Sequence, residues 1–184
     1  MPAATTPAAA TVITRLATLI DVERLHAIIH TAYRSEKNWT NESALVQGER
    51  IKVPELREQI QTQLDPILVA EIDGQVAGCI QLEFCRDHPS YELPDDAALI
   101  GLLAVDSDFQ SQGVGKTLFA AAVEFAKSVG KCRRGMMFVI NQRADIQAWY
   151  ERLGFAWNGD RREFVFPDKA LQDDIWFKVY EKEL

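Results

Sequence analysis

Apolar residues recur along this chain with two different periods, and these periods predict its strands and helices. Continuous or alternating apolar runs predict strands at 11–16, 67–72, 76–84, 99–105, 136–140, 155–157, 163–166 and 175–180. Apolar positions three and four residues apart predict helices at 21–34, 54–64, 113–130 and 145–153, and one that begins near residue 40 or 43. Asp73-Gly74, between two of the strands, predicts a hairpin. This order predicts one mixed α/β (α+β) domain over 11–184, after a disordered tail at 1–10.

The stretch 99–130 carries the pattern that bears most on function, because a buried strand, a polar turn and a long helix follow one another there. The segment 113–116 (GVGK) opens the helix, where backbone N–H groups converge on an anion and glycines let it approach closely. A nucleoside-triphosphatase loop needs a glycine five residues before Gly115, and the chain has Gln110 there. The three glycines of a dinucleotide fold are also missing. An anion site is therefore predicted, with a purely steric turn as the alternative.

Two motifs together resemble the GNAT superfamily of N-acetyltransferases. LLAVDSDFQSQGVGKTL at 102–118 resembles its motif A, and Asn141 followed by AWYERLGF at 148–155 resembles its motif B. The resemblance covers most of residues 67–157, with both motifs in the right order and spacing. It implies a single-domain fold with a mixed, mostly antiparallel sheet, in which two parallel strands splay apart between flanking helices.

The resemblance also implies acetyl-CoA as co-substrate, held between the splayed strands 99–105 and 136–140. Backbone groups of the first strand would bind pantetheine, amides of the glycine turn the pyrophosphate, and Asn141 the pantetheine arm. A turn or helix-capping role is the alternative for Asn141. The cofactor-binding residues implied in this way are Leu103, Ala104, Val105, Gln110, Gln112, Gly113, Val114, Gly115, Lys116, Asn141 and Tyr150.

The activity implied by the resemblance is direct transfer of an acetyl group from acetyl-CoA to a primary amine. Tyr150 matches the family tyrosine that protonates the departing thiolate, although a short helix also needs such a ring for its core. The glutamate that some relatives carry at the start of the motif A strand is missing, since 99–101 is Leu-Ile-Gly. Glu83, on the adjacent hairpin strand, is the candidate base by topology, with a surface charge or a water relay as alternatives. The rival function is a non-catalytic CoA-binding regulatory or scaffold module, which needs the glycine turn but not Tyr150.

The acceptor side is less defined by the sequence. Trp39 could wall an acceptor pocket and Glu42 could pair with an ammonium group, or the two residues could pack and cap a helix. His26 and His30 lie four residues apart without a third ligand at suitable spacing, so no metal is expected.

Composition limits the partners. The 184 residues carry a formal net charge of −7, which argues against binding nucleic acid or an anionic membrane surface. No apolar run approaches the roughly 18 residues of a membrane span. The three cysteines lack metal-ligand spacing and predict reduced thiols, hence a cytoplasmic protein. A homodimer that pairs the closing strands 163–166 and 175–180 is left open, as is the identity of the amine.

Overall fold

One seven-stranded sheet organises the computed structural model, which describes residues 11–35 and 38–184. The strand order is β1-β2-β3-β4-β5-β7-β6, and every neighbouring pair is antiparallel except β4 and β5. The strands are β1 (Ile13–Leu16), β2 (Ile67–Ile72), β3 (Gln75–Phe84), β4 (Ala97–Val105), β5 (Arg134–Ile140), β6 (Ala156–Glu163) and β7 (Trp176–Glu183). The α-helices of the described residues are α1 (Val22–Arg34), α2 (Val53–Thr62), α3 (Val114–Ser128) and α4 (Ala144–Arg152).

The helices cover both faces of the sheet. Apolar residues of α1 and α2 form one core with side chains such as Val69, Cys79 and Leu102. Apolar residues of α3 and α4 form the other core, against side chains such as Ile80 and Ile100. Burial on both faces explains why β2, β3 and β4 are nearly continuous apolar runs rather than alternating ones. None of the helices within 11–35 and 38–184 is long and apolar enough to cross a membrane.

The parallel strands β4 and β5 splay apart, as the resemblance implied. They pair only at their first residues, and the last pair in register is Leu99 with Met136. Beyond that pair the two strands diverge and leave an opening in the middle of the sheet. The mixed, mostly antiparallel GNAT-like fold predicted from the sequence is therefore confirmed.

A β-bulge lies in β4 at the start of this opening. One residue of β3, Ile80, lies opposite both Leu102 and Leu103, because Cys79 pairs with Ala104 and Gln81 with Gly101. Leu102 has a φ of +47°, a left-handed conformation that a branched side chain rarely adopts. Bulges and strained backbone concentrate next to functional sites, so this irregularity marks the opening as one.

The helix predicted to begin near residue 40 or 43 is wrong, since residues 38–52 form turns and a single bridge between Val46 and Ala170. Polar side chains compete with a helix there. The Asn41 side chain accepts a hydrogen bond from the Ser43 N–H at 2.8 Å, and the Thr40 hydroxyl donates to the Ala32 carbonyl at 3.0 Å.

The strands predicted at 155–157 and 163–166 are a single strand, β6, and residues 164–166 lie beyond its end. The pairing of β6 with β7 shifts register between Trp157 and Arg161, where Gly159 has a φ of +97°. This irregularity lets β6 continue through charged residues. Because β7 lies between β5 and β6, the segment 175–180 is not available for pairing across a dimer in the way the sequence suggested. A homodimer stays a prediction, and the tail at 1–10 lies outside the described residues.

Candidate active site

The opening between β4 and β5 exposes backbone groups of β4. The Asp106 N–H donates to the Ala77 carbonyl on β3 at 2.9 Å. Because backbone groups alternate in direction along a strand, those of Leu103 and Val105 face the opening, whereas those of Ala104 face β3. The Val105 carbonyl already accepts a hydrogen bond from the Asn38 side chain at 3.2 Å. Leu103 and Val105 therefore have the orientation that the resemblance implied, and Ala104 lies between them as a sheet residue.

The glycine turn after β4 leads directly into α3. Gly113 is the N-cap, with a φ of +82°, and the Thr117 N–H makes the first helical bond to its carbonyl at 3.0 Å. The N–H groups of Val114, Gly115 and Lys116 therefore have no acceptor within the helix and point from its positive end. The Gln112 side chain bends back to the Asp108 carbonyl at 3.1 Å, so its contribution to an anion site would come from its backbone.

Two features of this turn fit a phosphate-bearing ligand. The Gln110 Nε2 is buried and has no hydrogen-bond partner among the described residues. A donor left in this state costs about 1–3 kcal/mol, so a partner is expected. At Gly115, an added Cβ would meet only Val105 Cγ2, at an ordinary contact distance of 3.8 Å. The packing of the protein does not require this glycine, whereas close approach of a phosphate would.

Tyr150 lies at the end of the opening and lines a cavity of about 140 Å³, here named the tyrosine cavity. Its ring packs against Phe119 and Trp149, with centroids 6.1 and 5.1 Å away. Its hydroxyl has no hydrogen-bond partner in the described part of the chain, and burial raises the pKa of this phenol well above its usual range. The ring thus serves the core while the hydroxyl stays protonated and available to a ligand.

Glu83 lies in a second cavity, of about 500 Å³, on the α1–α2 face of the sheet. This glutamate cavity adjoins the tyrosine cavity, and Gly101 lines both. Burial raises the pKa of the Glu83 carboxyl, and the hydrogen bond donated by the Tyr91 hydroxyl opposes that rise. Glu83 is therefore a part-buried carboxyl in a cavity rather than the surface charge that the sequence left as an alternative.

Asp65 and His88 lie beside Glu83. The His88 Nε2 lies 2.6 Å from the Asp65 Oδ1, and one ligand atom each of Asp65, Glu83 and His88 falls within 4.8 Å of the others. This spacing suits a metal ion, but the carboxylates already have His88 and Tyr91 as partners. The absence of a metal stays a prediction.

Arg143, at the N-terminal end of α4, binds the backbone of the turn at 38–42. Its guanidinium donates to the carbonyls of Trp39, Thr40 and Asn41 at 2.7, 3.3 and 2.8 Å. Asp145 holds the same guanidinium through two further bonds of 2.9 and 2.8 Å. Arg143 thus joins the turn that carries Glu42 to α4.

The two predicted acceptor residues lie in different surroundings. Glu42 lines the tyrosine cavity, where burial raises the pKa of its carboxyl and the charges of Arg50, Arg143 and Arg34 oppose that rise. Trp39 packs against Trp149, with ring centroids 5.2 Å apart, and lines neither cavity. The packing role that the sequence left open for Trp39 is the one in the structure, whereas a role in acceptor binding stays a prediction.

The Asn141 side chain has the turn role that the sequence left as its alternative. Its Nδ2 donates to the Asp174 carbonyl at 3.0 Å, and its Oδ1 accepts from the Trp176 N–H at 3.2 Å. Both ends of the amide therefore join β5 to the start of β7. A contact of this side chain with pantetheine stays a prediction that requires exchange of these bonds.

The sequence profile of the acetyltransferase (GNAT) family matches residues 28–155. This match spans α1 to the end of α4, including the splayed strands, the glycine turn and Tyr150. The chain belongs to the GNAT acetyltransferase family. No curated protein matches this GNAT chain.

Solved structures share the fold of this GNAT protein. A ribosomal-protein-alanine N-acetyltransferase from Brucella melitensis is 21% identical, with 94% of this chain and 99% of that chain covered and a TM-score of 0.68. The PaiA N-acetyltransferase from Thermoplasma acidophilum, in complex with coenzyme A, is 20% identical, with coverage of 95% and 99% and a TM-score of 0.64. An N-acetyltransferase from Staphylococcus aureus Mu50 is 17% identical, with coverage of 94% and 98% and a TM-score of 0.67.

Sequence reasoning missed several residues of this GNAT site. Local sequence patterns assign no role to Arg50, Asp65 or Arg143. Their roles depend on contacts between residues far apart in the sequence, such as Arg143 with Trp39, and no local pattern encodes those contacts.

Proposed function

We propose that this protein is an N-acetyltransferase that moves an acetyl group from acetyl-CoA to a primary amine by direct attack. The observation that carries the proposal is the opening between β4 and β5, which joins the free amides of α3 to the cavity beside Tyr150. Leu103 of β4 lines the tyrosine cavity, and Val105 lies beside Gly115. The end of β4 thus leads from the protonated phenol to the donors for a pyrophosphate.

Acetyl-CoA would extend along this path. The N–H groups of residues 112–116 and the orphaned Gln110 Nε2 would bind the pyrophosphate, which suits the positive end of α3. Backbone groups of Leu103 and Val105 would pair with the pantetheine amides. The PaiA relative was solved with coenzyme A, which supports the same co-substrate for this chain.

Transfer then needs two proton movements. The amine nitrogen attacks the thioester carbonyl carbon, and the carbon–sulfur bond breaks as the tetrahedral intermediate collapses. Tyr150 gives its hydroxyl proton to the departing sulfur, and Glu83 takes a proton from the amine, directly or through water. Holding amine and thioester side by side supplies much of the rate.

Glu83 is supported as the base by its place in the glutamate cavity, next to the end of the β4–β5 pairing. Among the described residues, its carboxyl accepts a side-chain hydrogen bond from Tyr91 alone, so it retains capacity to accept a proton. Glu42, at the tyrosine cavity, would pair with the ammonium form of the incoming acceptor.

The remaining features of the proposal come from composition. The protein would work in the cytoplasm without a metal, and its net charge of −7 disfavours nucleic-acid and anionic-membrane partners. Self-association as a homodimer remains part of the proposal, with β6 as the edge strand on that side of the sheet.

Calorimetry and a thiol-release assay test the proposal together. Acetyl-CoA should bind with micromolar affinity, and a panel of primary amines should include acceptors that release CoA thiol in proportion to acetylated amine. Binding without turnover on any amine would instead support the CoA-binding module, and the absence of binding would exclude both functions.

A further inference from the structure

We propose that the acceptor is a free α-amino acid with an apolar side chain, and that Arg50 binds its carboxylate. This inference rests on the proposed acetyl transfer and adds the substrate class. It begins from Arg50, the cationic side chain shared by the tyrosine and glutamate cavities.

Arg50 has free bonding capacity at the junction of the two cavities. Its guanidinium lies over the Tyr33 ring, 5.5 Å from the centroid. Within residues 11–35 and 38–184, no carboxylate lies within ion-pair distance of it, and no hydrogen bond uses its nitrogens. A guanidinium that lies over an aromatic ring and has no ion-pair partner suits a planar carboxylate, which it can bind through two parallel hydrogen bonds.

The other arginines around these cavities already have partners. Arg34 donates to the carbonyls of Tyr33 and Gly48, and Arg143 holds the turn at 38–42. Arg162 donates to the Glu92 carbonyl at 3.2 Å and lies 3.6 Å from the Glu92 carboxylate. Among the described arginines that line the two cavities, Arg50 is thus the one with a free fork for an anionic ligand.

The amine of an α-amino acid would then fall between two acidic side chains. Glu42 lines the cavity on one side of Arg50 and Glu83 the cavity on the other. The charge of Arg50 acts on both carboxyls, which places all three groups in one electrostatic neighbourhood. An α-amino acid carries its carboxylate and amine on one carbon, so it offers one charge to Arg50 and the opposite charge to a carboxyl that lines the same cavity.

Space for this acceptor exists at Gly101. A Cβ built there meets no atom within 4 Å, and Gly101 has no positive φ, so neither packing nor backbone conformation requires a glycine at this position. Gly101 lines both cavities and immediately precedes the bulge at Leu102, where the splayed strands begin. A side chain at this position would occupy the space in which the amine must meet the thioester.

Part of the remaining wall is aromatic. Phe138, Phe166 and Phe177 line both cavities, and the Phe138 and Phe177 rings stack with centroids 5.9 Å apart. This aromatic part of the wall suits an aliphatic or aromatic side chain.

Matched acceptor pairs that differ by the carboxylate alone test the inference. The pairs are phenylalanine with 2-phenylethylamine and leucine with 3-methylbutylamine, compared by kcat/KM in the wild type, Arg50→Ala, Arg50→Lys and Arg57→Ala. Arg57 is the control, since it lies on α2, pairs with Glu23 at 3.3 Å and lines neither cavity. Titration of phenylalanine into the CoA-saturated protein gives a second readout that needs no turnover.

The wild type should prefer each amino acid over its amine by about 10- to 100-fold, the range expected for hydrogen bonds to a charged carboxylate. Arg50→Ala should reduce that ratio to near one and abolish the calorimetric signal of phenylalanine, Arg50→Lys should give an intermediate ratio, and Arg57→Ala should keep the wild-type ratio. Comparing ratios removes the intrinsic difference in reactivity within each pair.

Equal or better transfer to the decarboxylated amines would overturn the amino-acid assignment while leaving the acetyltransferase function intact. An undiminished ratio in Arg50→Ala would overturn the role of Arg50. Thiol release with no member of a broad amine panel, despite bound acetyl-CoA, would overturn the proposed function itself, and the inference with it.

Discussion

In the proposed reaction, the departure of CoA depends on a proton from Tyr150. Burial raises the pKa of its phenol, so the hydroxyl is fully protonated across the physiological range. The aromatic packing around its ring fixes where that proton lies, because Phe119 and Trp149 contact the ring. The core role and the catalytic role that the sequence presented as alternatives are thus compatible in one side chain.

Tyr150→Phe should lower kcat by about 10²-fold, the scale of general-acid catalysis, because the thiolate loses its proton donor. Acetyl-CoA affinity, measured by calorimetry, should stay within about threefold, since the ring that packs in the core is kept. Undiminished kcat on the best acceptor would exclude Tyr150 as the acid.

The ionisation of Glu83 should determine how kcat/KM depends on pH. Burial raises the pKa of its carboxyl, and below that pKa the group is protonated and cannot accept a proton from the amine. The value of kcat/KM should therefore rise as the pH rises through the Glu83 pKa. Glu83→Gln should remove this acidic limb and lower the plateau by about 10²-fold.

Tyr91→Phe tests whether the Glu83 carboxyl causes the acidic limb of the pH profile. The Tyr91 hydroxyl stabilises the Glu83 carboxylate, so its removal should raise the Glu83 pKa further and move the limb to higher pH. Glu163→Gln, an exposed charge at the rim of the same cavity, should keep the wild-type limb. If Glu83→Gln kept the acidic limb of the wild type, a group other than Glu83 would be the base that takes the proton from the amine.

At the scale of elements, the strand, glycine turn and helix of residues 97–128 were predictable because local signals agree. A continuous apolar run, a glycine with positive φ at the N-cap and a long amphipathic repeat all indicate the same structure. The turns at 38–52 were not predictable, because Thr40, Asn38 and Arg143 define them through contacts with distant backbone groups. The middle of β6, residues 158–162, was not predicted, because its sequence NGDRR has turn-forming and charged residues at an exposed edge.

The glycine turn yields a prediction that separates folding from ligand binding. Gly115→Ala should leave the free energy of unfolding unchanged or raise it by up to about 1 kcal/mol, because the added methyl has room and alanine favours a helix. It should nonetheless weaken acetyl-CoA binding at least tenfold, by obstructing approach of the pyrophosphate to the amides.

Gly113→Ala is the contrasting variant. Its φ of +82° strains any other residue, so the free energy of unfolding should fall by about 1 kcal/mol or more. Urea denaturation and calorimetry on both variants measure the two effects. Unchanged acetyl-CoA affinity in Gly115→Ala would contradict a phosphate site at this turn.

At the scale of the whole molecule, the site is assembled from elements on both faces of the sheet. The proposed cofactor path uses β4 and α3, the phenol comes from α4, and the candidate base comes from β3. Motif order in the sequence sufficed for the fold, including the splayed strands along which the cofactor path is proposed. It did not suffice for the acceptor end, since Arg50, Asp65 and Arg143 reach the cavities only through tertiary packing.

We propose that CoA lies in the opening between β4 and β5 with its pyrophosphate on the N–H groups of residues 112–116. Backbone amide NMR of the ¹⁵N-labelled protein, titrated with CoA and separately with pantetheine, tests this claim residue by residue. CoA should shift the amides of Leu103, Val105 and 112–116, whereas pantetheine, which lacks the pyrophosphate, should shift only those of Leu103 and Val105. At saturating CoA, unshifted amides throughout 112–116, or shifts confined to the edge strands β1 and β6, would contradict the proposed CoA site.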